Sequence, residues 1–158
     1  MADLDNIQEI RLLPMDKNEE FPEEEEVREY LAVKLPEEED GKYYYRERGI
    51  IIENYNALIL FQYDASIIGY GVLTGVEKLN EQGEVHTEQV SEKMVPYNGY
   101  YQFIPSSIHN IEEISRDELQ KIVGDIPLKN AKQHIDMKHY DSIREKLLEK
   151  QEEYEKDE

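Results

Sequence analysis

Hydrophobic spacing divides the chain into a β-patterned middle and helical flanks. Residues 43–46, 57–63, 67–79, 85–95 and 100–105 form short runs rich in Tyr, Ile, Val and Thr. That composition suits a pleated, half-buried surface and predicts strands. The runs are separated by Asp64-Ala65-Ser66, Asn80-Glu81-Gln82-Gly83 and Tyr97-Asn98-Gly99. These clusters predict hairpin turns, Asn98-Gly99 most clearly because both residues tolerate positive φ. Gly69, Gly71 and Gly75 interrupt the long third run, where missing side chains permit a bulge or the sharp coiling that closes a sheet.

The flanks follow other periods. Residues 7–13 partly alternate and stop at Pro14, as a strand does when the next residue cannot donate to a ladder. Residues 22–31 place Val27, Tyr30 and Leu31 on one face and acids at the positive helix end, predicting a short amphipathic helix at 23–31. Residues 35–41 then break regularity and predict a solvated loop. Ser115-Arg116-Asp117-Glu118 has the form of a capping box ahead of Leu119, Ile122 and Val123, with Gly124 as the stop. Pro127 starts a turn, and Asp136 caps a last helix, 136–150, whose apolar face is Met137, Tyr140, Ile143, Leu147 and Tyr154. The final ten residues are expected to fray.

Assembled, these elements predict one α+β domain over residues 1–158. It comprises an acidic strand and helix at 1–42, a bent, mostly antiparallel β-barrel of about five to seven strands at 43–105, and C-terminal helices at 106–158. Strand alternation directs Leu60 into the barrel with Ile68, and sets Gln62 toward one of its mouths.

Charge alters the functional picture. The chain carries 37 acidic and 18 basic residues, a net charge of -19, with 15 acids against 5 bases in residues 1–42 alone. Such a field repels phosphate backbones and attracts basic partners. The absence of cysteine excludes disulfides and thiolate-bound zinc. The apolar runs are far shorter than the ~20 residues of a membrane span, and the N-terminus lacks a basic segment followed by an apolar one, so a cytoplasmic protein that engages no membrane is expected. The four histidines, His86, His109, His134 and His139, include no pair at metal-ligand spacing, and no nucleophile elbow, phosphate loop or dinucleotide fingerprint occurs. No metal, no cofactor and no catalytic residue are assigned. Twelve tyrosines against three phenylalanines leave many rings with a hydroxyl in search of a partner, and most of the tyrosines lie in or beside the strands. Most of these rings are expected to fill the barrel or cover its outside, and the alternative is a stacking pocket for a planar base.

The residues Tyr43-Tyr44-Tyr45-Arg46, Gly49-Ile50, Leu58-Ile59-Leu60-Phe61-Gln62-Tyr63-Asp64, Ile67-Ile68-Gly69 and Ile114-Ser115-Arg116-Asp117-Glu118-Leu119 resemble the PUA-like (EVE-type) module at the N-terminus of some HNH-type restriction endonucleases. The resemblance spans roughly residues 43–148. It implies a curled barrel flanked by helices that recognises a modified base, nucleotide or nucleic acid. It also implies a pocket drawn from Tyr43, Tyr45, Arg46, Gln62 and Tyr101. No His-Asn-His nuclease domain is expected beside it, so cleavage is not carried over. The alternative is an acidic protein-interaction or DNA-mimic protein of anti-restriction type that binds a basic partner.

Overall fold

The computed structural model describes residues 4–15, 21–45, 56–78, 86–90, 93–97, 99–124 and 133–156. Among these residues its centre is a mixed sheet of seven strands that does not close into a barrel. Six strands follow one another across it: β2 (Lys42–Tyr45), β7 (Gly99–Phe103), β4 (Ser66–Lys78), β3 (Asn56–Tyr63), β1 (Ile7–Pro14) and β9 (Gln133–Ile135). The seventh, β8 (His109–Ser115), pairs with β4. The expected barrel is therefore corrected to an open sheet. The expectation of mostly antiparallel pairing holds with one exception, because β1 runs parallel to β3. A parallel pair needs a long crossover. The helical segment α1 (Glu24–Glu29), the π-helical run Tyr30–Glu38 and strand β2 supply it.

The β3–β4 hairpin turns as predicted, with Asp64 and Ala65 at φ of 51° and 64°, the left-handed pair required by a two-residue type I′ connection. β4 is long enough to serve two partners on one edge. Its first half pairs with β8 and its second half with β7, and the register slips between Ile67 and Gly69 and between Leu73 and Gly75. In the gap between those partners, Val72 N–H donates to Ser107 Oγ at 2.8 Å and Val72 C=O accepts from Ile104 N–H at 2.9 Å, so no ladder bond is lost. Among the described residues the strand that begins at Gly99 pairs with β2 and β4, with Gly99 opposite Tyr45 and Lys78, rather than with the strand that precedes it. The run 85–95 is instead two strands, β5 (His86–Val90) and β6 (Lys93–Tyr97), which pair with each other as a separate ribbon. Asn80–Gly83, Asn98 and the turn at Pro127 lie outside the described residues.

Two apolar layers cover the two faces of the sheet. On one face Ile59, Phe61, Ile68, Leu73, Tyr101 and Phe103 pack under Val27, Leu31 and Leu35. On the other, Leu58, Leu60, Tyr70 and Val72 pack under Leu119 of α2 (Arg116–Val123) and Ile143 and Leu147 of α3 (Tyr140–Lys156). Leu60 and Ile68 are thus both buried but in opposite layers, because the bulge after Ile67 shifts the alternation. The loop expected at 35–41 is helical as far as Glu38. Pro36 cannot donate, and the widened turns close with Glu39 N–H on Lys34 C=O at 2.7 Å. The last helix runs through Lys156, past the expected end at 150: Gln151 is buried and accepts the Tyr70 hydroxyl, and the Arg28 guanidinium lies 4.8 Å from the Tyr154 ring centroid. Among the described residues no helix is long and apolar enough to cross a membrane.

The predicted capping box at Ser115 is present, with Glu118 N–H donating to Ser115 Oγ at 3.2 Å and Ser115 N–H to Glu118 Oε1 at 3.2 Å. Lys146 and Lys150 of α3 reach the other carboxylate oxygen at 3.3 and 3.2 Å, so one glutamate both caps α2 and ties it to α3. Partial burial opposes ionisation of Glu118, but the Ser115 N–H and the two ammonium groups outweigh it and hold the carboxyl at about 2. A lowered folded-state value stabilises above the unfolded value and is lost as pH falls toward the folded one. The side chain is 32% exposed, so screening leaves roughly 1 kcal/mol. Urea denaturation at neutral pH and near pH 2 should show Glu118→Gln losing less stability on acidification than the native chain by about that amount. Equal losses would show that the bridges contribute nothing.

Candidate aromatic site

Strand pairing sets the tyrosines of β2 against those of β7: Tyr43 is opposite Tyr101, Tyr44 opposite Tyr100 and Tyr45 opposite Gly99. Because side chains alternate, the two rows fall on opposite faces. Tyr43, Tyr45 and Tyr101 share the face covered by the π-helical run. Tyr45 stacks on Tyr101 with centroids 4.8 Å apart and planes at 26°, and Tyr43 stacks on Tyr101 at 6.0 Å and 11°. Gly99 makes this arrangement possible, since a methyl group there would strike the Tyr45 hydroxyl and the Glu77 carbonyl. Burial pushes the Tyr45 hydroxyl pKa up.

Three of the five residues expected to form a pocket are therefore together, but Tyr101 is fully buried and Tyr45 nearly so. They fill the core. Gln62 is buried elsewhere: β3 alternation sends Ala57, Ile59, Phe61 and Tyr63 to the tyrosine face, and Gln62 with Leu58 and Leu60 to the other. Arg46 lies outside the described residues.

The ring series continues outward. Tyr43 meets Tyr30 edge-on at 6.1 Å, and Tyr30 meets Phe21 edge-on at 5.2 Å. Tyr63 pins this end by donating its hydroxyl to Phe21 C=O at 2.7 Å. Here the surface opens into a cleft of about 270 Å³ lined by Phe21, Tyr30, Val33, Lys34, Glu26, Glu29 and Glu38. No sequence signal marks this cleft, whose wall is completed by Glu38, in a stretch whose spacing predicts a loop and which is helical. On the opposite face of the sheet, Tyr44 and Tyr100 are half-exposed, 5.5 Å apart, and Lys42 Nζ lies 5.3 Å from the Tyr100 centroid. Among the described residues no group of three or more His, Asp or Glu is placed to hold a metal ion.

An open mixed sheet between an N-terminal helical segment and C-terminal helices defines an α+β module, and its fold is similar to that of solved ASCH structures. The chain is similar to the crystal structure of a tyrosine-to-phenylalanine mutant of ASCH from Zymomonas mobilis, with a TM-score of 0.53, 10% identity, and coverage of 87% of this chain and 98% of that one. It is also similar to a serine-to-alanine mutant of the same protein, with a TM-score of 0.50, 11% identity and coverage of 89% and 97%. At these identities the likeness is one of fold. No protein-family model and no curated protein matches the sequence.

Proposed function

We propose that this chain is a PUA-like binding module that recognises a base, either as a modified nucleoside or nucleotide or within a nucleic acid. The observation that carries the reading is the aromatic series that begins in the core at Tyr45 and ends at Tyr30 and Phe21 in an open cleft. A planar ring entering there meets aromatic surface at the wall, and Tyr30 is held from behind by Tyr43, itself held by Tyr101. Preorganised rings lose little entropy on binding. Of the residues implied by the EVE-type resemblance, Tyr43, Tyr45 and Tyr101 support the ring wall, while Gln62 faces away from it. The cleft's carboxylates explain how such a module coexists with a net charge of -19: it holds a base edge-in and leaves the phosphate outside.

Stacking contributes about 1–3 kcal/mol per base. Tyr30→Ala should therefore weaken binding of nucleosides or short single-stranded oligonucleotides about tenfold or more in calorimetric titration. Leu31 and Leu35 keep the helical run anchored in that variant. Tyr44→Ala, on the opposite face, should leave affinity unchanged. Loss with Tyr44→Ala and retention with Tyr30→Ala would move the base to the outer face of β2 and β7. A second reading rests on the exposed row Glu23, Glu24, Glu25 and Glu26 with Glu37 and Glu38, which suits a basic protein partner. That partner's affinity would fall steeply with salt, whereas base stacking in the cleft would not.

A further inference from the structure

The lining of the cleft is chemically lopsided. The half-buried Tyr30 offers ring surface with the edge of the largely buried Phe21, Val33 is 40% exposed beside them, and Glu26, Glu29 and Glu38 set three carboxylates against the one ammonium of Lys34. The acids reach the cleft because of helical spacing. Glu26, Glu29 and Tyr30 are three and four residues apart and fall on one face of α1 and its continuation, and Glu38 arrives because the wide-turned run persists past Pro36. Val27, Leu31 and Leu35 occupy the face turned to the sheet, which leaves the acidic and aromatic side chains at its margin. An aromatic ring carries a negative face, so a bound cation is attracted by both the ring and the carboxylates. A neutral ring gains only the stacking. An anionic group is opposed by both.

We infer that the ligand of this cleft is a base bearing a positive charge, that is, a nucleobase quaternised or protonated on a ring nitrogen. The inference rests on the base-binding reading above and makes it specific: selection is by charge on the ring, with phosphate excluded. A delocalised cation matches the site better than a compact ammonium, because its flat face covers Tyr30 while its positive edge meets the carboxylates. The carboxylates are exposed, so the preference is moderate, about fivefold in favour of the cationic ring.

Isomeric nucleosides separate charge from size and methylation. The titrations compare 1-methyladenosine with its isomer methylated on the 6-amino group, 3-methylcytidine with 5-methylcytidine, and 7-methylguanosine with 1-methylguanosine, at about pH 6 where the first of each pair is cationic. The expected result is that at least one cationic isomer binds about fivefold or more tightly than its neutral partner. Added salt should narrow the difference. Glu26→Gln and Glu29→Gln, combined in one variant, should reduce the ratio of cationic to neutral affinity toward parity. Equal binding within every pair would overturn the charge inference and leave base recognition standing. A preference that survives the double substitution would remove the cation from this cleft. No binding of any nucleoside would overturn both readings.

Discussion

Replacing Tyr101 by alanine is expected to cost about 3–5 kcal/mol of stability, the range for truncating a large buried aromatic. Tyr101 is fully buried, and its ring is the one on which both Tyr43 and Tyr45 stack. Its removal opens a void between β2 and β7 that neither neighbour can fill without leaving its own packing. Tyr45 covers Gly99 and Tyr43 backs Tyr30, so the damage spreads to the edge strand and to the cleft wall. Urea denaturation should show the loss directly, with the midpoint falling and the slope unchanged. A cost below about 1 kcal/mol would mean that the ring is not packed as described. The size of this effect bears on function: weakened ligand binding in Tyr101→Ala reports unfolding of the support, and the half-buried Tyr30 at the cleft wall is the position that tests the cleft.

The strands, the capping box and the tight turn were legible because each is decided locally. Asp64 and Ala65 lie between two apolar runs, and their left-handed backbone follows from a two-residue link between twisted strands. Ser115 and Glu118 satisfy each other across three residues whatever the tertiary context. Closure was not legible. Whether β7 joins β4 or β6 depends on competition between distant partners, and Gly99 next to Asn98 imitates a hairpin while its real role is to admit the Tyr45 ring. β8 and β9 were missed for a related reason. His109–Ser115 mixes polar and apolar residues because β8 crosses only the first half of β4, and Gln133–Ile135 is too short to show a period. The tyrosine cluster was visible as composition. Its division into a filled row and an exposed row required the β2–β7 register, and the cleft required the helix to continue past Pro36.

The second large effect is expected at Leu60. Its side chain is 1% exposed in the layer between the sheet and helices α2 and α3, with Leu58, Tyr70 and Val72 as neighbours on the same face. β3 is flanked by a parallel partner and an antiparallel one, so its backbone cannot move to close a cavity without disturbing both ladders. Leu60→Ala should therefore cost about 2–5 kcal/mol, toward the upper part of that range where relaxation is blocked. Ile68→Ala, in the opposite layer, should cost a comparable amount because it too is fully buried. The two sites share no layer, so the double variant should show nearly additive losses, within about 0.5 kcal/mol. A barrel with one shared interior would place both side chains in contact and make the losses strongly non-additive. The double-mutant cycle by chemical denaturation thus measures the architecture itself: near-additivity supports the two-layered open sheet, and a large coupling energy would contradict it.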